Sequence, residues 1–158
     1  MEKQAQLDAA LIAAIKEGAD IETVRTLLDD GADVNTCDAE GYSALIIATE
    51  EGYGEIAKLL IERAADIHAI DPRGERTALI FAAFWSPPDV VRCLVEHGAD
   101  VNAQECYGLT ALMGTARNGD IDSMKLLIEH GADVNLGHSF EGETTLMYAV
   151  QAGHLQWG

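Results

Sequence analysis

The chain repeats itself at a period of about 33 residues, and no other feature restricts its fold so tightly. The pentapeptide GADVN starts at Gly31, Gly98 and Gly131, and a diverged copy, AADIH, starts at Ala64, so that the four starts are evenly spaced along the chain. A second series runs between them at the same period: SALIIAT from Ser43, TALIFAA from Thr77, TALMGTA from Thr110 and TTLMYAV from Thr144. AALIAAI from Ala9 is an earlier, weaker member. Units this short cannot bury an apolar side alone, so they must stack in a row.

Each unit reads as two short helices and a turn. Ser43, Thr77, Thr110 and Thr144 stand where a hydroxyl can accept from a free N–H of the first helix. Leu45, Leu79, Leu112 and Leu146 recur with small partners three or four residues on, which places them on one helical face. Gly18, Gly52, Gly119 and Gly153 each fall seven residues after the matching Leu, and end the first helix in a left-handed turn. The second helix carries EIAKLLIE, DVVRCLVE or DSMKLLIE, apolar on one side and charged on the other. A helix of about eight residues is marginal alone in water, so stability belongs to the stack.

These turns, the [ST]-x-L-x-x-[AT] segments, the intervening glycines and the stretch LLIEHGADVN ending at Asn135 cover nearly the whole chain, and together they resemble the ankyrin-repeat family. The resemblance implies an all-α fold: a curved solenoid of helix pairs with β-hairpin-like fingers, about four full repeats plus a truncated fifth. It also implies a protein-binding role without catalysis. The expected units are a capping repeat over 1–37, repeats over 38–70, 71–104 and 105–138, and an incomplete one over 139–158. The sequence departs from the family's Thr-Pro-Leu-His: Ala44, Ala78, Ala111 and Thr145 replace Pro, and Ile46, Ile80, Met113 and Met147 replace His. Single extra residues fall after Gly18, near Glu75 and before Gly142. Lys3, Gln4, Gln6 and Asp8 give the first unit the polar outer side that a cap needs, whereas after Gly153 only HLQWG remains, with Trp157 at an apolar position. The expectation is a chain cut from a longer array, the alternative being that Trp157 folds over the last helix.

Composition narrows the partners. Twenty-seven acids against ten Lys and Arg give a formal charge of −17, which repels phosphate backbones and anionic headgroups, so neither nucleic acid nor membrane is an expected partner. The longest apolar run, Ala78 to Trp85, is far too short to cross a bilayer, and the N-terminus lacks the pattern of a secretory signal. Cys37, Cys93 and Cys106 are odd in number and widely spaced, which suits free thiols and a cytoplasmic location.

Motifs that imitate chemistry dissolve into the period. GYGEIA, Gly52 to Ala57, resembles a nucleotide fingerprint but follows a helical segment instead of a strand. His97 and His130 occupy equivalent places in neighbouring units, about 8–10 Å apart, too far to share a zinc ion. His68, His138 and His154 offer no better set. No nucleophile, base and orienting group stand apart from the repeat, so no catalytic, metal or cofactor residue is assigned. Asn35, Asn102 and Asn135 end DVN turns similar to those that asparaginyl hydroxylases accept in ankyrin proteins; as turn residues tolerant of unusual backbone angles they need no further role.

One stretch breaks the polar pattern. Phe84 and Trp85 align with Lys16 and Glu17, with Glu50 and Glu51, and with Arg117 and Asn118, the last two residues before the interhelical turn. Charge at the equivalent positions predicts solvent exposure, the alternative being that Phe84 or Trp85 folds inward to fill space left by the irregular turn. In the SPPD that follows, Ser86 is expected to cap the second helix, with Pro early in its first turn. Tyr42, Arg73, Arg76, Tyr107 and Leu109 lie at equivalent finger positions. With Phe84, Trp85, Arg117, Glu50 and Glu51 they form the expected partner-binding strip, Trp, Tyr and Arg being the side chains that dominate binding hot spots. The expected function is a scaffold or adaptor binding another protein through the concave groove, with Trp85, Tyr107 and Tyr42 as anchors and Arg73, Arg76 and Arg117 reading acidic or carbonyl groups. The alternative is a regulatory fragment of a larger enzyme or effector. The expected state is a monomer, with association through the uncapped C-terminal end as the other option.

Overall fold

The computed structural model describes residues 1–137, 144–151 and 153. Helices follow in pairs: α1 (Glu2–Lys16) and α2 (Ile21–Asp29), α3 (Ala44–Glu50) and α4 (Gly54–Glu62), α5 (Ala78–Trp85) and α6 (Pro88–Glu96), α7 (Ala111–Asn118) and α8 (Ile121–Glu129), then α9 (Thr145–Gln151). The first members pack in sequence as an inner layer, α1 on α3, α3 on α5, α5 on α7 and α7 on α9. The second members form an outer layer, α2 on α4 on α6 on α8. The fold is the all-α solenoid that the period predicts.

The two layers have different sequences because they have different neighbours. An inner helix is covered by helices on both sides and by the outer layer behind it. Residues 44–49, 78–83 and 111–116 are accordingly buried without interruption, and Ala at 48, 82 and 116 lets the backbones approach. Outer helices keep one wet face and are amphipathic: in α6, Val90, Val91, Leu94 and Val95 are buried while Arg92 and Glu96 are exposed. Ile46, Ile80 and Met113 are at most 1% exposed, so in these three repeats the family's histidine position is apolar core, whereas Met147 in α9 is 48% exposed. Each such side chain contributes roughly 1.5–3 kcal/mol relative to exposure.

The helix signals act as read. The hydroxyls of Ser43, Thr77 and Thr110 accept from the N–H groups of Ile46, Ile80 and Met113 at 3.3 Å. Asp20 and Asp120 cap α2 and α8 in the same way. The Ser86 expectation fails: α6 is capped by Pro87, without a side-chain bond, and the Ser86 hydroxyl instead donates 3.0 Å to the Thr49 carbonyl of the preceding pair. Between pairs the chain makes fingers, pinned by single antiparallel bridges at Cys37 with Ser43, Ile70 with Thr77 and Gly137 with Thr144.

Side-chain bridges join one pair to the next. Asn35 Oδ1 accepts the Asp66 N–H at 2.8 Å; Asn102 Oδ1 accepts the Asp133 N–H at 2.7 Å while its amide donates 2.9 Å to the Gly131 carbonyl. Asn35 and Asn102 are thus inter-repeat clamps, a role their spacing alone does not reveal. In the first pair α1 supplies the clamp from its own side chains: Asp8 accepts the Asp33 N–H at 2.8 Å and Gln4 donates 2.9 Å to the Gly31 carbonyl. Trp157, His138, His154 and the extra residue before Gly142 lie outside the described residues.

Candidate functional site

The fingers and the ends of the inner helices enclose a groove, and α5 sets its centre. This helix has no glycine to close it, and its cap residue Ser86 is extended, φ −101°. Its last carbonyls are satisfied from the next pair instead: the Asn118 amide donates 3.0 Å to Ala83 and 3.2 Å to Phe84. On the other side Gly52, at φ +76°, brings its backbone so close that a Cβ there would stand 2.8 Å from the Trp85 carbonyl. Ser86 anchors the same corner to Thr49. The backbone presenting Trp85 is therefore fixed from both neighbouring pairs.

The two aromatic residues diverge from each other. Trp85 is 51% exposed, as the pattern predicts. Phe84 is half-buried, because its ring lies over Gly114 of the next inner helix, where a Cβ would come within 2.7 Å of it. The equivalent positions carry Ile47, Phe81 and Tyr148, so glycine at 114 leaves a hole that the Phe84 ring fills. Trp85 stands on this platform, its ring centroid 5.2 Å from Phe84 and 5.6 Å from the buried Phe81. Three guanidinium groups complete the strip: Arg76 lies 5.7 Å over Phe81, Arg117 5.9 Å over Phe84 and Arg73 5.5 Å over Tyr42. Cation–π contacts of this kind hold long, flexible side chains in one place.

Acidic residues at the base of the three described fingers hold their tips. Asp38 Oδ1 accepts the N–H groups of Glu40 and Tyr42 at 3.0 and 2.9 Å; Glu105 Oε1, almost fully buried, accepts those of Tyr107 and Leu109 at 2.8 and 3.1 Å. In the finger between them Asp71 accepts the Arg76 N–H at 2.6 Å, and the extra residue is absorbed by Glu75 in the left-handed region, φ +59°. The Gly74 carbonyl beside it accepts the Cys106 N–H at 3.0 Å and ties two fingers together. Tyr107, 45% exposed, and half-buried Leu109 sit on the far finger.

Two pockets run along the groove. One, of 420 Å³, is lined by Lys16, Asp38, Glu40, Tyr42, Glu50, Glu51 and Arg73. Burial opposes ionisation of Asp38, but the Lys16 ammonium 2.7 Å away and the finger N–H groups outweigh it and hold the carboxyl below the usual range. The other, of 190 Å³, is lined by Tyr42, Glu50, Asp71, Arg73, Arg76 and Tyr107. The structure thus gathers Tyr42, Glu50, Glu51, Arg73, Arg76 and Tyr107 around two hollows that share Tyr42, Glu50 and Arg73, while Trp85, Phe84 and Arg117 line neither and join the strip through Phe81 and Arg76. A third, apolar cavity of 510 Å³ lies at the far end, against α9 and Ile121.

Side chains that could suggest chemistry are occupied or subdued. His97 and His130 each turn Nδ1 onto the carbonyl four residues earlier, Cys93 at 2.8 Å and Leu126 at 2.9 Å. Burial and the Glu62 and Glu96 carboxylates push the Cys93 thiol up, and desolvation with the Glu105 carboxylate does the same to Cys106, so neither tends toward thiolate. Among the described residues no helix is long and apolar enough to cross a membrane.

Comparison with known proteins agrees with the geometry. A family model described as ankyrin repeats (3 copies) matches residues 10–105 and 79–157. The B-cell lymphoma 3 protein homolog of Mus musculus is 37% identical over 100 residues, 61% of this chain and 22% of that protein. The ankyrin repeat and KH domain-containing protein mask-1 of Caenorhabditis elegans is 33% identical over 119 residues, 75% of this chain but 4% of that protein. Serine/threonine-protein kinase 12 of Arabidopsis thaliana is 35% identical over 80 residues, 51% of this chain and 17% of that protein. The chain therefore spans less than a quarter of the length of each of these relatives.

Proposed function

This chain belongs to the ankyrin-repeat family, whose repeats are in general protein-interaction modules, and we propose that it is a non-catalytic scaffold or adaptor holding a protein partner in the groove between fingers and inner helices. The observation that carries this reading is the Trp85 corner: a half-exposed indole standing on two phenylalanine rings, on backbone held from both sides, between stacked arginines. An aromatic anchor that is already rigid loses little freedom on binding, and that is what distinguishes a hot spot from an incidental exposed ring. Tyr42 and Tyr107 are the flanking anchors, and Glu50, Glu51 and Leu109 belong to the same surface. The engaged His97 and His130 rings and the Cys93 and Cys106 thiols, both pushed away from thiolate, support a role without chemistry. On this reading the protein is cytoplasmic and monomeric, with the repeat boundaries given above.

The test is affinity capture from native lysate with wild type and the W85A/Y107A double variant side by side. Each truncation is expected to weaken a captured partner by about 2 kcal/mol or more, roughly thirtyfold. Equal retention by both proteins removes the site assignment. A second reading, an array that regulates a catalytic domain in the same longer protein, draws on the match to a kinase of which this chain covers 17%. A natural gene product ending at Gly158 and monomeric in solution counts against it.

A further inference from the structure

The geometry points to the smaller groove pocket, of 190 Å³, as a receptor for one carboxylate side chain, an Asp or Glu on an extended segment of the protein partner. This rests on the groove reading above and gives it a chemistry. The pocket is too small for a drug-sized ligand, which needs about 300 Å³ or more, but it has room for a single side chain.

Its cations are held differently from the ion-paired ones of this molecule, although Lys3, Arg92 and Lys125 likewise make no ion pair among the described residues. Lys16, Arg25, Lys58 and Arg63 each have a carboxylate within 2.6–3.4 Å, as the excess of 27 acids over 10 bases leads one to expect. Arg73 and Arg76 make no ion pair among the described residues; they lie over the Tyr42 and Phe81 rings instead. Held over these rings, the two guanidinium groups line the pocket with N–H donors that no carboxylate side chain among the described residues pairs with, and a guanidinium can grip a carboxylate with two parallel bonds. The acid within the pocket is already engaged: Asp71 is 2% exposed and its Oδ1 accepts the Arg76 N–H. Glu50 stands at the rim outside ion-pair reach of either arginine.

The neighbouring hollow sets the direction. There Asp38, Glu40, Glu50 and Glu51 face only Lys16 and Arg73, so an incoming carboxylate is disfavoured on that side. The net charge of −17 opposes any anion at long range, but charges beyond a Debye length of about 8 Å are largely screened at physiological salt. The two arginines therefore decide at contact.

The probe is a random dodecapeptide display library panned on the full chain, with R73Q/R76Q and W85A proteins in parallel. The global charge alone would enrich Lys and Arg; the proposal predicts Asp or Glu at one fixed position. Changing that residue to its amide in the leading peptide should lower affinity about tenfold or more on wild type and leave it nearly unchanged on R73Q/R76Q. The proposal is overturned if no acidic position emerges, if nothing enriches, or if the amide peptide loses as much on the double variant as on wild type. Peptides sensitive to W85A yet indifferent to R73Q/R76Q refute the carboxylate pocket and leave the groove standing; indifference to both removes both.

Discussion

Replacing His68 with asparagine should stabilise the chain by about 1 kcal/mol. His68 occupies the place of Asn35 and Asn102 in the diverged AADIH turn, and among the described residues its side chain makes none of their bonds to the next turn. At Asn102 the clamp consists of two hydrogen bonds, to the Asp133 N–H and the Gly131 carbonyl; their counterparts at the defective junction are the Asp100 N–H and the Gly98 carbonyl. Each bond contributes about 0.5–1.5 kcal/mol net, with the lower half applying at an exposed site, and ordering one amide side chain offsets part of the sum. For a chain of this size a gain of about 1 kcal/mol raises Tm by roughly 2–4 °C. Urea and thermal melts at pH 7 read the effect, with Asn102→Ala as the mirror perturbation, expected to lose about as much. A neutral or destabilising H68N alongside a destabilising N102A would show that the clamp depends on local context. A neutral N102A would refute the bridge as a stabilising element.

Other outcomes follow from the same geometry. Ala64 adopts φ +62° where three sister turns have glycine with open space around a Cβ, so Ala64→Gly should gain about 0.5–1 kcal/mol in the same melts. Gly114→Ala drives a methyl into the Phe84 ring and should cost about 1–3 kcal/mol; combined with Phe84→Leu it should cost measurably less, and additivity would show that the ring does not fill that hole. The Asp38 carboxyl titrates below its unfolded value, so its contribution is complete above about pH 5 and disappears as pH falls through the folded value. The difference in urea midpoint between wild type and Asp38→Asn should accordingly shrink as pH falls through the folded value of Asp38; a constant difference would mean that charge is not what the Lys16 contact uses.

The architecture was legible because its signals are local and recur. Ser43, Thr77 and Thr110 cap the helices they precede, and Gly18, Gly52 and Gly119 turn left-handed where the spacing puts them. Features that depend on the facing unit were not legible. Phe84 looked exposed because its equivalents are charged, yet its environment is set by Gly114, one repeat later on a different helix. Reading Gly114 against Ile47, Phe81 and Tyr148 would have exposed the hole. Ser86 satisfied the local rule for a cap, but its hydroxyl found a carbonyl of the previous pair at α3, and Pro87 took the cap position. Polarity alone marks Gln4 and Asp8 as cover; their bonds show that a spacing of four lets both reach the first GADVN turn. The candidate strip was visible residue by residue; the stacking of Arg73, Arg76 and Arg117 on rings was not, since cation–π geometry leaves no mark on sequence.

An amide chemical-shift map of the isotope-labelled chain with a groove-selected peptide or captured partner tests the central claim most directly. The account predicts that the shifts cluster at Tyr42, Arg73 to Arg76, Phe84, Trp85 and Tyr107, along one side of the stack. Shifts concentrated instead on the exposed faces of α4, α6 and α8, or around Ile121 and α9, would contradict it.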